Sequence, residues 1–419
     1  MLARALRWRR GRSDSYVVVS PRYQPRTHYA APSVPERGAD TRVEQHSRRE
    51  GVKSNFKRAA AFALLISGAA QCYAATQLGD YFSFSGFGTL GLVETDTNQG
   101  QFIRDNEFSG ATTHASFNVD SDLGLQGTVQ PTTWLSGTVQ LLSKERTDNN
   151  ISTEVEWAYV KVEPVEGLTF LGGRMELPMF LVSDFRDVNY ANTWVRPPNE
   201  VYGQAFLNRL EGGEARYRLP IKTTTLTVTV LAGNSSLPLD GTELKVKNVR
   251  GWNALWETDW VTLRAGRVWG TPDLVGSTER YTFTGFGATV DRNNIFVQSE
   301  YVTRRSQCCA SVADANGWYA LAGYRFRPFM PYVSYAKAED LMPSAFHLTN
   351  PQSTVAIGVR WDAFKSADLK FQVERVNTYG TSGISFSTPA LPSTGFGPPL
   401  SAPITSPVMV FSLTMDVVF

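Results

Sequence analysis

Beyond residue 75 the chain holds two histidines, His114 and His347, and two cysteines, the adjacent Cys308 and Cys309. Neither histidine has a nucleophile and an orienting acid at a spacing that would build a catalytic relay. No glycine-rich phosphate loop lies between a strand and a helix, and no Cys/His spacing reads as a metal site. The adjacent cysteines are a vicinal disulfide or two free thiols. The sequence therefore nominates no catalytic, cofactor-binding or metal-ligating residue, no cofactor and no enzyme.

Charge is arranged more suggestively. The irregular segment from Met175 to Gln204 carries Glu176, Asp184, Asp187 and Glu200 among Arg186 and Arg196. Several arginines alternate with apolar residues: Arg216 and Arg218 with Ala215, Tyr217 and Leu219, Arg325 with Tyr324 and Phe326, and Arg360 with Val359 and Trp361. Arg174 and Arg209 flank the acidic segment. An acidic lip facing a basic wall across water sets up a transverse field, which orders water, orients dipolar solutes and penalises apolar ones. That is a chemistry of selection rather than turnover.

Such charges must be held by a scaffold, and the period of two supplies it. Met409, Phe411, Leu413, Met415, Val417 and Phe419 alternate with Val410, Ser412, Thr414, Asp416 and Val418; Leu369, Phe371 and Val373 alternate with Asp368, Lys370, Gln372 and Glu374. Strands are expected near 80–94, 114–129, 132–145, 153–163, 167–174, 205–219, 222–232, 245–257, 259–270, 280–291, 294–305, 317–327, 329–337, 353–363, 366–376 and 407–419, sixteen in all. Long connections take turns with short ones. A soluble sandwich has no reason for that alternation, whereas a transmembrane antiparallel barrel puts short turns on the periplasmic side and long loops outside. Without spanning helices, such a chain must close on itself, because no backbone group can go unpaired in hydrocarbon.

Aromatic residues gather near strand ends, among them Phe82, Phe84, Trp252, Trp256, Trp260, Trp318, Tyr324, Phe326, Phe329, Tyr332 and Tyr335, as interfacial girdles require. Arg267 shares a face with Val261, Leu263 and Trp269, a place a charge tolerates only near the rim. Glu154 and Glu156 are expected on one face of the fourth strand, with Trp157 and Tyr159 on the other.

Composition agrees with a large ordered body: 419 residues, 42% hydrophobic and 19% charged, with no apolar run long enough to span a bilayer as a helix. Residues 1–74 carry 14 Lys and Arg against 5 Asp and Glu; the remainder carries 27 against 34, a net of −7. An acidic body argues against nucleic acid as a partner. Lys53, Lys57 and Arg58, then the apolar run from Ala59 to Ala70, then Cys72-Tyr73-Ala74, read as a signal peptide over 52–74, cut between Ala74 and Ala75. Residues 1–51, with eleven arginines and no apolar period, are read as a misplaced translation start or a disordered extension. Residues 75–419 are the barrel.

Phe84-Ser85-Gly86-Phe87-Gly88-Thr89-Leu90-Gly91, Glu156-Trp157-Ala158-Tyr159-Val160, Gly172-Gly173-Arg174 ahead of a long loop, and the terminal Phe419 resemble the general bacterial porins of Gram-negative outer membranes. The resemblance runs from Asp80 to Phe419. It implies a sixteen-stranded, water-filled, homotrimeric barrel in the outer membrane, with its third loop folded into the pore, passing small hydrophilic solutes and ions by passive diffusion. It also implies outer-membrane lipid, lipopolysaccharide and the barrel assembly machinery as partners, with Phe419 as the assembly signal. Glu176, Asp184, Asp187 and Glu200 then become the constriction, and Arg174, Arg209, Arg216, Arg218, Arg325 and Arg360 the basic wall. The third loop lacks the Pro-Glu-Phe-Gly-Gly run of enteric members, so a porin tuned to anions or small organic acids stays open. The alternative from another class is an outer-membrane protease or phospholipase, which resembles a narrower barrel of about ten or twelve strands.

Overall fold

The computed structural model describes residues 76–419 apart from 78, 105, 106, 108, 147–150, 206, 240, 241, 274–279, 307–313, 343–350 and 390–400. The leader with Ala74 and Ala75, the segment 1–51, Cys308, Cys309 and His347 lie outside the described residues.

Sixteen antiparallel strands form the wall: β1 Phe82–Thr95, β2 Asp122–Val129, β3 Leu135–Glu145, β4 Ile151–Val165, β5 Leu168–Glu176, β6 Arg209–Ile221, β7 Thr224–Leu239, β8 Thr242–Glu257, β9 Val261–Pro272, β10 Tyr281–Arg292, β11 Ile295–Ser306, β12 Asp314–Tyr324, β13 Phe329–Met342, β14 Gln352–Phe364, β15 Ala367–Asn377 and β16 Val408–Val418. Each pairs with the next, and β16 returns to β1 from Val410↔Thr95 to Val418↔Phe87. Phe419 completes the seam, its N–H donating to the Gly86 carbonyl at 2.9 Å and its carbonyl accepting from the Gly86 N–H at 2.7 Å. A short piece, Thr76–Gln77, joins the same sheet against Phe84 and Ser83. The expected strand number holds; the alternation of long and short connections does not hold throughout, because β7 runs on to Leu239 and β8 already begins at Thr242, pairing as a hairpin where a long connection between 232 and 245 was expected. A closed wall of this kind should exclude SDS until heated; identical gel mobility before and after boiling would contradict it.

The alternation sorts side chains as a lipid-facing barrel demands. On β16, Phe411 and Leu413 are exposed, while Ser412, Thr414 and Asp416 between them are buried inside. Mid-strand apolar residues stay bare outside: Ile357 is 64% exposed and Phe286 52%. That cost is removed only by hydrocarbon around the belt, since each fully covered side chain contributes about 1.5–3 kcal/mol.

Other local expectations change. The second strand starts at Asp122 rather than near 114, because the preceding residues form a loop in which only Ser116 bridges to Val93 and Asp120 turns to an ion pair. Tyr332 is not a girdle residue: it is 4% exposed, points inward and donates its hydroxyl to Gln372 at 2.6 Å. On β4, pairing skips from Gln140↔Trp157 to Leu141↔Val155, leaving Glu156 as an extra residue. The bulge resets the alternation, so Glu156 and Trp157 both line the interior rather than opposite faces.

The interior is not uniformly polar. Residues 177–208, the third loop, run through the lumen with two 3-10 turns, Ser183–Phe185 and Asn189–Ala191, and one helical turn, Asn199–Tyr202. Met179, Phe180, Val201 and Tyr202 of this loop pack on Phe283, Val302, Tyr319 and Leu321 of β10 to β12. The apolar residues of the loop thus find their core inside the barrel. Gly317 on β12 lets this happen, since a Cβ there would overlap the Glu200 carbonyl.

Candidate functional site

The loop is fastened to the wall around most of its circumference. Arg196 is its principal anchor. It grips Asp120 with Nε to Oδ1 at 2.9 Å and Nη2 to Oδ2 at 2.6 Å, pairs with Glu374 on β15, donates to Ser412 at 2.5 Å, and lies 4.9 Å from the centre of the Phe102 ring. Burial alone would lower the guanidinium pKa, but Asp120 and Glu374 hold it above its ordinary value.

Asp187 is held next. Arg104 from the first loop and Lys144 of β3 each lie 3.0 Å from its Oδ1, with Arg186 at 3.9 Å from Oδ2. Burial would raise this carboxyl, yet Lys144, Arg186 and Arg104 together keep it well below the usual carboxylate range. Glu200 accepts hydrogen bonds from Gln352, at 2.7 Å, and from Thr354 on β14, and burial pushes its carboxyl up. Backbone groups of the loop are captured too: Lys370 donates to the Asn189 carbonyl at 2.5 Å, Arg360 to the Tyr190 and Asn192 carbonyls at 2.7 and 2.8 Å, and Arg264 to the Pro178 carbonyl. Glu300 accepts from the Leu181 N–H at 2.7 Å and from the Tyr202 hydroxyl.

The sequence-nominated residues fall into three groups. Glu176, Asp184 and Asp187 do meet, lining one small cavity with Glu156, Gln140 and Arg186; at about 10 Å³ it has room for about one water. Asp184 is exposed and sits within electrostatic reach of Glu214, the partner of Arg216. Arg216 points inward beside outward-facing Tyr217, pairs with Glu214 at 2.7 Å and keeps a third of its side chain accessible. On β4, Lys161 and Glu163 also pair, at 3.3 Å.

Glu200 and Arg360 belong to the second group. Both touch the loop's own packing, and Glu200 is buried among β14 residues, where it lines a small cavity with Trp194, Arg196 and Glu374. Arg360 additionally pairs with Asp368 at 2.9 Å.

The third group lies elsewhere. Arg174 is a correction: it shares the outer face with exposed Phe170 and pairs there with Glu211, because Met175 beside it takes the inward place in the core. Arg325 is another, for it sits in the short turn after β12 and clasps Asp291 near the end of β10 at 2.6 and 3.1 Å, at the periplasmic end. Arg218 lies toward the same end, exposed, four residues before the short turn at Lys222. Arg209 stands where β6 begins, locked with Arg146 into a cluster on Glu154 and Glu156, so that it touches the first group's cavity through Glu156 without lining it.

Arg104, Lys144, Lys370, Asp120, Glu300 and Glu374 hold the loop and were not nominated from the sequence. Lys370 and Glu374 showed the inward period on β15; Asp120 and Arg104 are loop residues with no periodic signal.

Among solved structures, OmpF of Salmonella typhi in complex with daunomycin superposes with a TM-score of 0.56 at 14% identity, covering 82% of this chain and 100% of that one. The fold is that of the outer-membrane porins. An anion-selective porin from Comamonas acidovorans gives 0.54 at 11% identity over 81% of this chain and 99% of its own, and the outer-membrane channel DcaP of Acinetobacter baumannii gives 0.52 at 12% over 83% and 100%. No family model and no curated relative matches the sequence. At these identities the porin likeness is one of architecture, and selectivity has to be argued from this chain's own side chains.

Proposed function

We propose that this chain is an outer-membrane channel that passes small hydrophilic solutes and ions by passive diffusion, without turnover. The observation that carries the reading is an exposed acid on the inward-folded loop, Asp184, within electrostatic reach of the inward ion pair on β6 between buried Glu214 and part-accessible Arg216. Loop and wall then present opposite charges to whatever crosses between them. The bare apolar belt supports the membrane location, and the porin likeness supports the same. A homotrimer is the proposed assembly.

The proposal separates the two aspartates. Asp187 is saturated by three cations, so it fixes the loop; Asp184 faces the passage and tunes it. Bilayer recordings under a salt gradient should therefore show Asp184→Asn moving the reversal potential toward anions. The shift should be larger at ~0.1 M than at ~1 M salt, where the screening length falls from roughly 10 to 3 Å. Arg216→Gln should move it toward cations. A reversal potential that neither substitution moves would remove this pair from the passage, and a folded protein with no conductance would overturn the channel reading itself.

A further inference from the structure

Inward-facing charges on β4 and β6 keep contact with water, whereas Glu300 on β11, Lys370 on β15 and Asp416 on β16 are enclosed. Val160, Phe170 and Tyr217 are exposed on the outer face, so alternation turns Lys161, Thr169 and Arg216 inward. Leu171, two residues from Thr169, agrees by packing on the interior core. Glu163 accepts a hydrogen bond from the Thr169 hydroxyl at 3.3 Å, which places it on the same inner face. Register sets Leu171 opposite both Lys161 and Glu214, and Thr169 opposite Arg216. Two rows result: Lys161, Leu171 and Glu214, then Glu163, Thr169 and Arg216. Along each outer strand of the three the charges pair, Lys161 with Glu163 at 3.3 Å and Arg216 with Glu214 at 2.7 Å. Signs therefore alternate both along the strands and across them. The second row is the open one: Glu163 keeps 25% of its side chain accessible and Arg216 32%, while Glu214 is enclosed. It lies just inside the periplasmic mouth, beside the short turn at Glu166 and Gly167.

We infer that Glu163, Thr169 and Arg216 bind the two charged ends of an amino-acid zwitterion, an inference that names a solute class for the channel reading above and rests on it. A square of alternating charges attracts no simple ion, since an anion drawn to Arg216 also meets Glu163 and Glu214, and a cation drawn to Glu163 also meets Lys161 and Arg216. A solute carrying both signs gains at both ends. Its carboxylate matches the planar guanidinium of Arg216, its ammonium the carboxylate of Glu163, and the Thr169 hydroxyl stands between them. Two strand spacings separate Glu163 from Arg216 by roughly 10 Å between Cα positions, most of it filled by the side chains themselves, so the remaining gap suits two charges borne on one carbon. The ion pairs to Lys161 and Glu214 already order both side chains, which lowers the entropy cost of binding.

The test titrates the folded barrel in detergent, by saturation-transfer NMR at neutral pH, with four probes of nearly one shape: alanine, neutral lactamide, anionic lactate and cationic alaninamide. The wild type should bind alanine roughly tenfold more tightly than lactamide, the scale of one charge-assisted hydrogen bond, and more tightly than either singly charged probe. Glu163→Gln should bring lactate level with alanine, and Arg216→Gln should bring alaninamide level with it. Glu163→Gln together with Arg216→Gln should erase the preference for alanine over lactamide, whereas Arg174→Gln, on the outer face, should keep the wild-type order. Heat-dependent gel mobility certifies that each variant is folded. Equal binding of alanine and lactamide by the wild type, lactate bound as tightly as alanine, or an undiminished alanine preference in the double variant would each overturn the site. A barrel that binds alanine as expected but carries no current in a bilayer would instead overturn the channel reading and leave this site standing.

Discussion

Arg196→Ala should release the third loop from the wall, raising single-channel conductance and making the open current noisy. The guanidinium is 2% exposed and the Asp120 side chain it grips is fully enclosed, with Glu374 at 10% on its other side. Removing it strands two carboxylates against each other, a loss of about 3–5 kcal/mol when a buried ion pair is broken from one side. Some of that loss is recovered if the loop swings away and water enters, so the released loop becomes the favoured state of the variant. Arg196→Lys should lie between wild type and alanine, since an ammonium cannot make the two-pronged contact to Asp120. Trypsin offers an independent readout, because Arg186 lies in the same loop, buried in the wild type. Cleavage there should appear in Arg196→Ala and be absent from Arg174→Ala, whose half-exposed outer pair is worth about 0–1 kcal/mol. Wild-type conductance together with wild-type protease resistance in Arg196→Ala would mean that the loop is held by its apolar packing alone.

That contrast shows which parts of the molecule were legible in the sequence. Strands announce themselves through a local period, and a lipid-facing strand does so twice over, since its outer residues must be apolar and its inner ones are free to be polar. The third loop was legible as a long charged interruption. Its seating was not, because the contacts that seat it join residues far apart in sequence: Arg196 with Asp120, and Asp187 with Arg104. No periodicity encodes a pairing across a lumen.

Parity also fails wherever the backbone inserts a residue. The bulge at Glu156 turned both Glu156 and Trp157 inward. Arg174 is a different case, for β5 pairs with β6 without irregularity, and plain alternation from exposed Phe170 puts Arg174 outside and Met175 inside. The same reasoning explains a success. Arg216 was assigned to the lumen because Tyr217 and Leu219 had to face lipid, and no irregularity in the β6–β7 pairing intervenes. Nor could parity foresee that β10 to β12 carry large apolar residues on both faces. Phe283 points in and Phe286 points out, a pattern that makes sense only once the apolar side of the loop is known to pack there.

Deleting the ring of Phe419 should lower the yield of barrel in the outer membrane far more than deleting the ring of Phe329. Both are aromatic residues at strand ends, but Phe419 sits at the seam where β16 meets β1, and its ring lies over Gly86 so closely that any Cβ there would overlap it. Phe419→Ala keeps both backbone hydrogen bonds to Gly86, so the seam retains its register and the loss falls on the ring alone. Two causes then separate. If the ring matters because it packs the seam, Gly86→Val, which displaces the ring without removing it, should reproduce the defect both in cells and during refolding in detergent. If the exposed ring is the feature that the assembly machinery reads before the barrel closes, Phe419→Ala should fail in cells yet refold in detergent at nearly the wild-type yield. The second outcome is the one expected, because a single ring adds little to a wall already held by nine paired positions between β16 and β1. Equal cellular yields for Phe419→Ala and Phe329→Ala would reduce Phe419 to one more lipid-facing aromatic.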